Sequence, residues 1–114
     1  MRILFVGAEL TPLAKVGGLG DYMGSLPKAL AKYGVTPAVA LPYHTSIRKH
    51  KLTVRYHSAL RVPFGHQVER VGIWKTTIPH SRVPLYLFDN NRYLSRGEIY
   101  HSAKVWDPVR HAYA

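Results

Sequence analysis

An apolar strand, a helix-length periodic stretch and a second apolar strand follow one another within about 40 residues, and that order constrains the fold more than any other feature. Residues 3–6, Ile-Leu-Phe-Val, run without a polar break and end at Gly7, the pattern of a strand buried on both faces. From Leu19 onward the apolar positions are Leu19, Tyr22, Met23, Leu26, Leu30 and Tyr33, a single stripe along a helix. Gly34 supplies its stop. Pro27 lies inside the pattern, where it either kinks the helix or opens a shorter one capped by Ser25. We read a kinked helix over residues 18–33. "TPAVALP" then gives a second buried strand over residues 37–41, closed by Pro42. A strand, a crossover helix and another strand join parallel neighbours, so the expected class is α/β with a parallel core.

The middle of the chain changes period. "LTVRYHSALRVPFG" and "HQVERVGIWKTTIP" alternate in part around Gly65-His66, which predicts an antiparallel hairpin inserted into the parallel scheme. "VPLYLFDN", residues 83–90, is a further buried strand running into a polar loop. "AKVWDPVRHAYA" resembles the first turn of a helix, with Asp107 as N-cap and Pro108 at its first position. The chain stops within two turns of that point, and we read it as truncated.

Between the first strand and the helix lies "KVGGLGD", residues 15–21. Glycines opening a helix let an anion approach the main chain at the positive end of the helix dipole. A dinucleotide fingerprint requires a third glycine at position 23, where Met stands, and an acidic residue at the end of the second strand, where there is none. The P-loop pattern fails as well, because Lys15 precedes the glycines. On these residues alone, a purely structural tight turn and a phosphate cradle both stand.

Sixteen Lys and Arg against six Asp and Glu give a formal net charge of +10, which attracts polyanions without naming one. The absence of Cys excludes disulfides, thiolate metal sites and cysteine nucleophiles. The seven His, at 44, 50, 57, 66, 80, 101 and 111, show no metal-site spacing, so no metal and no cofactor are expected. "RKHKLTVR", residues 48–55, reads as a solvated loop rather than a nucleic-acid patch, since no aromatic is interleaved for stacking. No apolar run approaches the length of about 18 residues that spans a bilayer, so a membrane role is not expected and a cytoplasmic location is the default.

The stretch "MRILFVGAELTPLAKVGGLGDYMGSLPKALAKYGVTPAVALPYH" resembles the opening of the bacterial glycogen synthases and plant starch synthases. The resembling features are the early strand, Glu9, Pro12, the Lys-x-Gly-Gly-Leu-Gly-Asp run, Leu26-Pro27 and a second strand ending Leu41-Pro42. "VPLYLFDNNRYLSRGEIY" is similar to a later strand and Asp-Asn loop of that family, with Asn91 and Leu94 departing from its usual Pro and Phe. "WDPVRHAYA" resembles the start of its next helix. The resemblance spans nearly the whole chain but only the opening part of the family's length.

It implies a partial Rossmann-like N-terminal domain of a two-domain GT-B glycosyltransferase, residues 1–114, with the second Rossmann-like domain absent. It also implies an activity: transfer of glucose with retention from ADP-glucose, in some members UDP-glucose, to the non-reducing end of an α-1,4-glucan. Carried over, the donor diphosphate falls to Lys15, Gly17 and Gly18. Glu9 and Asp21 match the pattern as further candidates, and equally as carboxylates that cap a helix. Tyr93 is a candidate for the acceptor side of the cleft. Tyr100 and Trp106 are aromatics that either stack on sugars or pack a core. The phosphate- and sugar-holding Arg, Lys and Glu of the family's second domain, and a His from later in its first, have no counterpart here, so no catalytic residue is expected and the isolated chain is expected to be inactive. From another class comes the rival reading, a small non-catalytic module binding a phosphorylated metabolite or nucleic acid. A third is an orphan fragment left by gene truncation.

Overall fold

The structure, a computed structural model, describes residues 1–14 and 17–90. Lys15, Tyr93, Tyr100, Trp106 and the expected turn at Asp107-Pro108 lie outside the described residues. Seven elements follow in order: β1 (Arg2–Val6), α1 (Gly18–Ala31), β2 (Thr36–Pro42), α2 (Thr45–Arg48), β3 (Arg55–Phe64), β4 (Gln67–Thr77) and β5 (Pro84–Asp89). All five strands form one sheet in the order β1-β2-β5-β4-β3.

The expected α/β class and parallel core are found. Strand β1 pairs parallel with β2, from Arg2 opposite Thr36 to Val6 opposite Ala40. Strand β2 pairs parallel with β5, from Val39 opposite Leu85 to Pro42 opposite Phe88. The hairpin is also found: Phe64 faces Gln67 across the two-residue turn Gly65-His66, where Gly65 takes φ +66°. It continues the same sheet, because β4 runs antiparallel beside β5.

Helix α1 begins at Gly18, as read, and ends two residues sooner, at Ala31, before a turn in which Gly34 takes φ +82°. Its buried face differs from the expected stripe. Met23 is 3% exposed and buries beside Gly20, Gly24 and Pro27, whereas Leu19, Tyr22 and Tyr33 face outward. Small residues therefore carry much of the contact with the loop beneath; of the expected stripe, Met23 is buried and Leu26 and Leu30 are half-buried as read, while Leu19, Tyr22 and Tyr33 are not. The other main correction concerns β1. It is the edge strand here, and it buries one face only: Ile3 and Phe5 are half-buried while Leu4 and Val6 are 60% and 74% exposed.

The core lies on the α1 side of the sheet. Met23 from the helix meets Leu10, Leu13 and Ala14 from the loop after β1, Val39 and Leu41 from β2, and Leu85 and Leu87 from β5. Ile47 from α2 and Ile78 and Val83, which flank the β4–β5 connection, complete it. Each fully buried aliphatic contributes roughly 1.5–3 kcal/mol, enough to fix the loop residues against the sheet.

Candidate functional site

The site is assembled at the carboxyl ends of β1, β2 and β5, where α/β sheets place their ligands. Leaving β1, the Gly7 N–H donates to the Ala40 carbonyl at 3.2 Å and extends the ladder by one rung. Leu10 and Ala14 exchange backbone hydrogen bonds of 2.7 and 2.8 Å, closing a tight loop around the cis Thr11-Pro12 peptide. Leu10, Leu13 and Ala14 are at most 1% exposed, so the loop is anchored by its own side chains.

This loop grips the first turn of α1 at three points. The Thr11 N–H donates to the Gly20 carbonyl at 3.0 Å. The Thr11 hydroxyl donates to the Asp21 carboxylate at 2.9 Å. The Glu9 carboxylate, buried to 2% exposure, accepts the Gly17 N–H at 2.7 Å. Both carboxylates that the sequence offered as ligand candidates thus hold the glycine run in place. The Gly17 N–H is thereby engaged by Glu9 within the fold.

The glycines divide into two kinds. A Cβ at Gly24 would come 2.8 Å from the Thr11 carbonyl oxygen, and one at Gly20 3.1 Å from the Thr11 hydroxyl. Those two are glycine so that α1 can lie on the loop. Among the described residues nothing lies within 4 Å of a Cβ at Gly17 or Gly18, and neither has a left-handed backbone, Gly17 being extended at φ −151°. Neither crowding by the described residues nor backbone conformation demands glycine there. Gly18 is exposed at the N-terminus of a 14-residue helix, the end at which backbone dipoles favour an anion, while Gly17 beside it is half-buried.

Sequence reasoning missed two contributors. His44, directly past β2, is 2% exposed and donates Nε2–H to the Ala8 carbonyl at 2.8 Å. Because a carbonyl only accepts, this bond fixes the neutral tautomer with Nδ1 unprotonated. Burial lowers the His44 pKa below its ordinary value, and the hydrogen bond to Ala8 opposes part of that shift. The imidazole ties β2 to the residue preceding Glu9 and so braces the glycine run from behind. Its signal was position, at the carboxyl end of a core strand, and not its place in any histidine pattern. The second is Arg48, taken as part of a solvated loop. It ends the one-turn helix α2, lies 3.9 Å over the Tyr43 ring and pairs with Asp89 at 3.0 Å. The rest of that cluster, Lys49, His50, Lys51 and Arg55, is exposed.

A parallel βαβ unit with a glycine turn and a helix N-terminus at the strand carboxyl ends places the chain among the α/β domains built on a parallel sheet. The family model described as the starch synthase catalytic domain matches residues 2–113, and the chain belongs to that family. Among curated relatives, the glycogen synthase of Kosmotoga olearia is 40% identical over 102 residues, 88% of this chain and 21% of that protein. That of Lactobacillus acidophilus is 41% identical over 101 residues, 88% of this chain and 21% of the relative. The Geotalea daltonii glycogen synthase is 37% identical over 112 residues, 97% of this chain and 23% of the relative. The chain therefore spans between 21% and 23% of the length of these proteins. A solved structure, the catalytic domain of Starch Synthase IV from Arabidopsis thaliana bound to ADP and acarbose, superposes with a TM-score of 0.76 at 25% identity. The match covers 90% of this chain and 22% of that one. Among the described residues no helix is long and apolar enough to cross a membrane.

Proposed function

We propose that this chain is the N-terminal portion of the first Rossmann-like domain of a GT-B glucosyltransferase, and that it supplies half of a donor-diphosphate site. The full reaction is transfer of glucose from ADP-glucose, with retention, to the non-reducing end of an α-1,4-glucan. The observation that carries this reading is the pair Gly17-Gly18, bare of side chains at the N-terminus of α1, where no described residue crowds a Cβ. The Starch Synthase IV structure, which holds ADP and acarbose, supports both a nucleotide and a glucan class of ligand.

In this reading the Lys15 ammonium and the Gly18 main chain approach the donor phosphates, and Gly17 serves by lacking a side chain while Glu9 holds its amide. As the glucosyl bond breaks, the departing diphosphate gains negative charge. A cation already in place stabilises that state more than the bound donor, which is what accelerates the step. Glu9, Asp21 and Thr11 act as positioning residues, because their carboxylates and hydroxyl are engaged in holding the turn. In this reading these 114 residues by themselves, spanning 21–23% of the relatives' length, are inactive.

A chimera tests the proposal. Residues 1–114 are spliced in place of the matching segment of the Kosmotoga olearia glycogen synthase, and glucan extension from ADP-glucose is assayed. The expected result is an active chimera whose kcat/KM falls roughly 10²-fold or more on Lys15→Ala, the size of loss seen when one charge-stabilising donor is removed. The isolated 114 residues are expected to give no turnover above blank. A Lys15→Ala chimera with unchanged kcat/KM overturns the proposal.

A further inference from the structure

At the other end of the sheet a groove of about 460 Å³ opens between the last turns of α1 and the β4–β5 connection. It is lined by Lys28 and Lys32 from the helix side and by His80 and Arg82 from the turn, over a floor that includes Pro37 and Val83. Its position is opposite to the glycine run, since Thr36 and Pro84 begin β2 and β5 while the glycine run adjoins their carboxyl ends.

Three features set it apart from scattered surface charge. First, no carboxylate of the described residues lines it: Glu9 and Asp21 hold the glycine run, Asp89 ends β5 and pairs with Arg48, and Glu69 lies in the hairpin. No ion pair of Lys28, Lys32, His80 or Arg82 is found among the described residues. Second, the two halves have different origins. Lys28 and Lys32 sit one turn apart at the C-terminal end of α1, where cations also offset the helix dipole. His80 and Arg82 are not on a helix, so the dipole gives no reason for them.

Third, the turn that carries His80 and Arg82 is built to hold its shape. Ile78 and Val83, at 0% and 5% exposure, anchor its ends. The Ile78 N–H donates to the Val83 carbonyl at 3.0 Å, the Ser81 N–H and hydroxyl donate to the Ile78 carbonyl at 3.1 and 2.9 Å, and the Val83 N–H donates to the Ser81 hydroxyl at 3.2 Å. His80 is held at φ +62°, a left-handed backbone that a residue with a Cβ adopts at a cost. The hydrogen-bonded frame around it sustains that conformation.

We infer that this groove is a second anion site, separate from the donor site, which binds a small phosphorylated ligand through Lys28, Lys32, His80 and Arg82. Its size is that of small-molecule pockets, and clustered cations on a fixed frame favour a compact, multiply charged anion over a long polymer. Lysines act as point charges and Arg82 offers a planar fork for two phosphate oxygens.

The test is isothermal titration of the 114-residue chain with inorganic pyrophosphate at constant ionic strength, repeated with fructose 1,6-bisphosphate and with a short DNA duplex. Four proteins are compared: wild type, Lys32→Ala/Arg82→Ala, Lys49→Ala/Lys51→Ala as a charge-matched control, and Lys15→Ala. Circular dichroism confirms that each is folded; all substituted positions other than Lys15, which lies outside the described residues, are exposed. The inference expects a binding step that weakens at least tenfold in Lys32→Ala/Arg82→Ala and persists in both the control and Lys15→Ala. A stronger response to the sugar bisphosphate than to pyrophosphate identifies a phosphorylated metabolite as the source of the anion, and the reverse identifies free polyphosphate. Equal loss in the two double variants, loss only in Lys15→Ala, or binding of the duplex alone overturns it. The donor-site reading is judged by Lys15→Ala and stands or falls independently.

Discussion

The Glu9 carboxylate and the Gly17 N–H, eight positions apart in the chain, meet at 2.7 Å, with Glu9 almost fully enclosed. A buried acid this close to the positive end of α1 is a brace: it satisfies a helix-entry donor and fixes where the glycine run turns. Hydrogen bonds to charged groups contribute about 1.5–3 kcal/mol. Glu9→Ala should therefore lower the unfolding free energy by an amount in that range, measured by urea titration. Glu9→Gln, which keeps an acceptor oxygen, should lose distinctly less. Equal losses in the two variants would show that the carboxylate's charge, rather than its acceptor, matters.

The two kinds of glycine predict opposite behaviour towards alanine. At Gly24 the added methyl meets a backbone oxygen at 2.8 Å, which cannot swing aside as a side chain could. Overpacking of this kind costs about 1–3 kcal/mol, and Gly24→Ala should show it in thermal unfolding. Gly18→Ala adds a methyl to open space at the start of a helix and should leave the melting temperature unchanged or slightly raised. A Gly18→Ala variant as unstable as Gly24→Ala would contradict the open geometry.

His44 gives a pH signature. Its pKa is lowered in the fold, chiefly by burial, from the ordinary 6.5. Above 6.5 the imidazole is neutral in both folded and unfolded chains, and its contribution to stability is fully present. As pH falls from 6.5 through the folded value, the unfolded chain takes up the proton first and stability is lost. Unfolding midpoints measured at pH 7.5, 6.5, 5.5 and 5.0 should decline over that window. In His44→Gln the decline should be shallower, since the other described histidines show no comparable burial. An identical pH profile in the two proteins would remove His44 from this role.

Arg48 and Asp89 connect α2 to the end of β5, but with side chains 44% and 24% exposed their bond is partly screened by solvent. Asp89→Asn should cost less than about 1 kcal/mol at moderate salt, and that cost should shrink as salt is added. A loss several times larger would mean that the pair is enclosed in solution.

The α/β class, the parallel βαβ unit, the hairpin turn at Gly65-His66 and the fifth strand were legible because each rests on local period or turn chemistry. Which residues of α1 face inward was not. Gly24 lies against the Thr11 carbonyl oxygen, which leaves no room for a Cβ, and Gly20 against the Thr11 hydroxyl, which would have to give by a few tenths of an ångström; that proximity arises from tertiary contact alone. The exposure of Leu4 and Val6 likewise depends on which tertiary elements cover each face of β1, which no local pattern states. At the candidate site, the glycine run and its two carboxylates were visible in the sequence, but their mutual hydrogen bonds were not. His44 and Arg48 escaped notice because their partners, Ala8 and Asp89, lie 36 and 41 positions away along the chain.

An amide-resolved NMR titration of the chain with ADP, in wild type and in Lys15→Ala, addresses the donor half-site most directly. Shifts concentrated at Gly18 and Leu19, with affinity at least tenfold weaker once Lys15 is alanine, are the predicted result. Shifts confined to residues 28–36 and 80–84, or an affinity indifferent to Lys15, would contradict it.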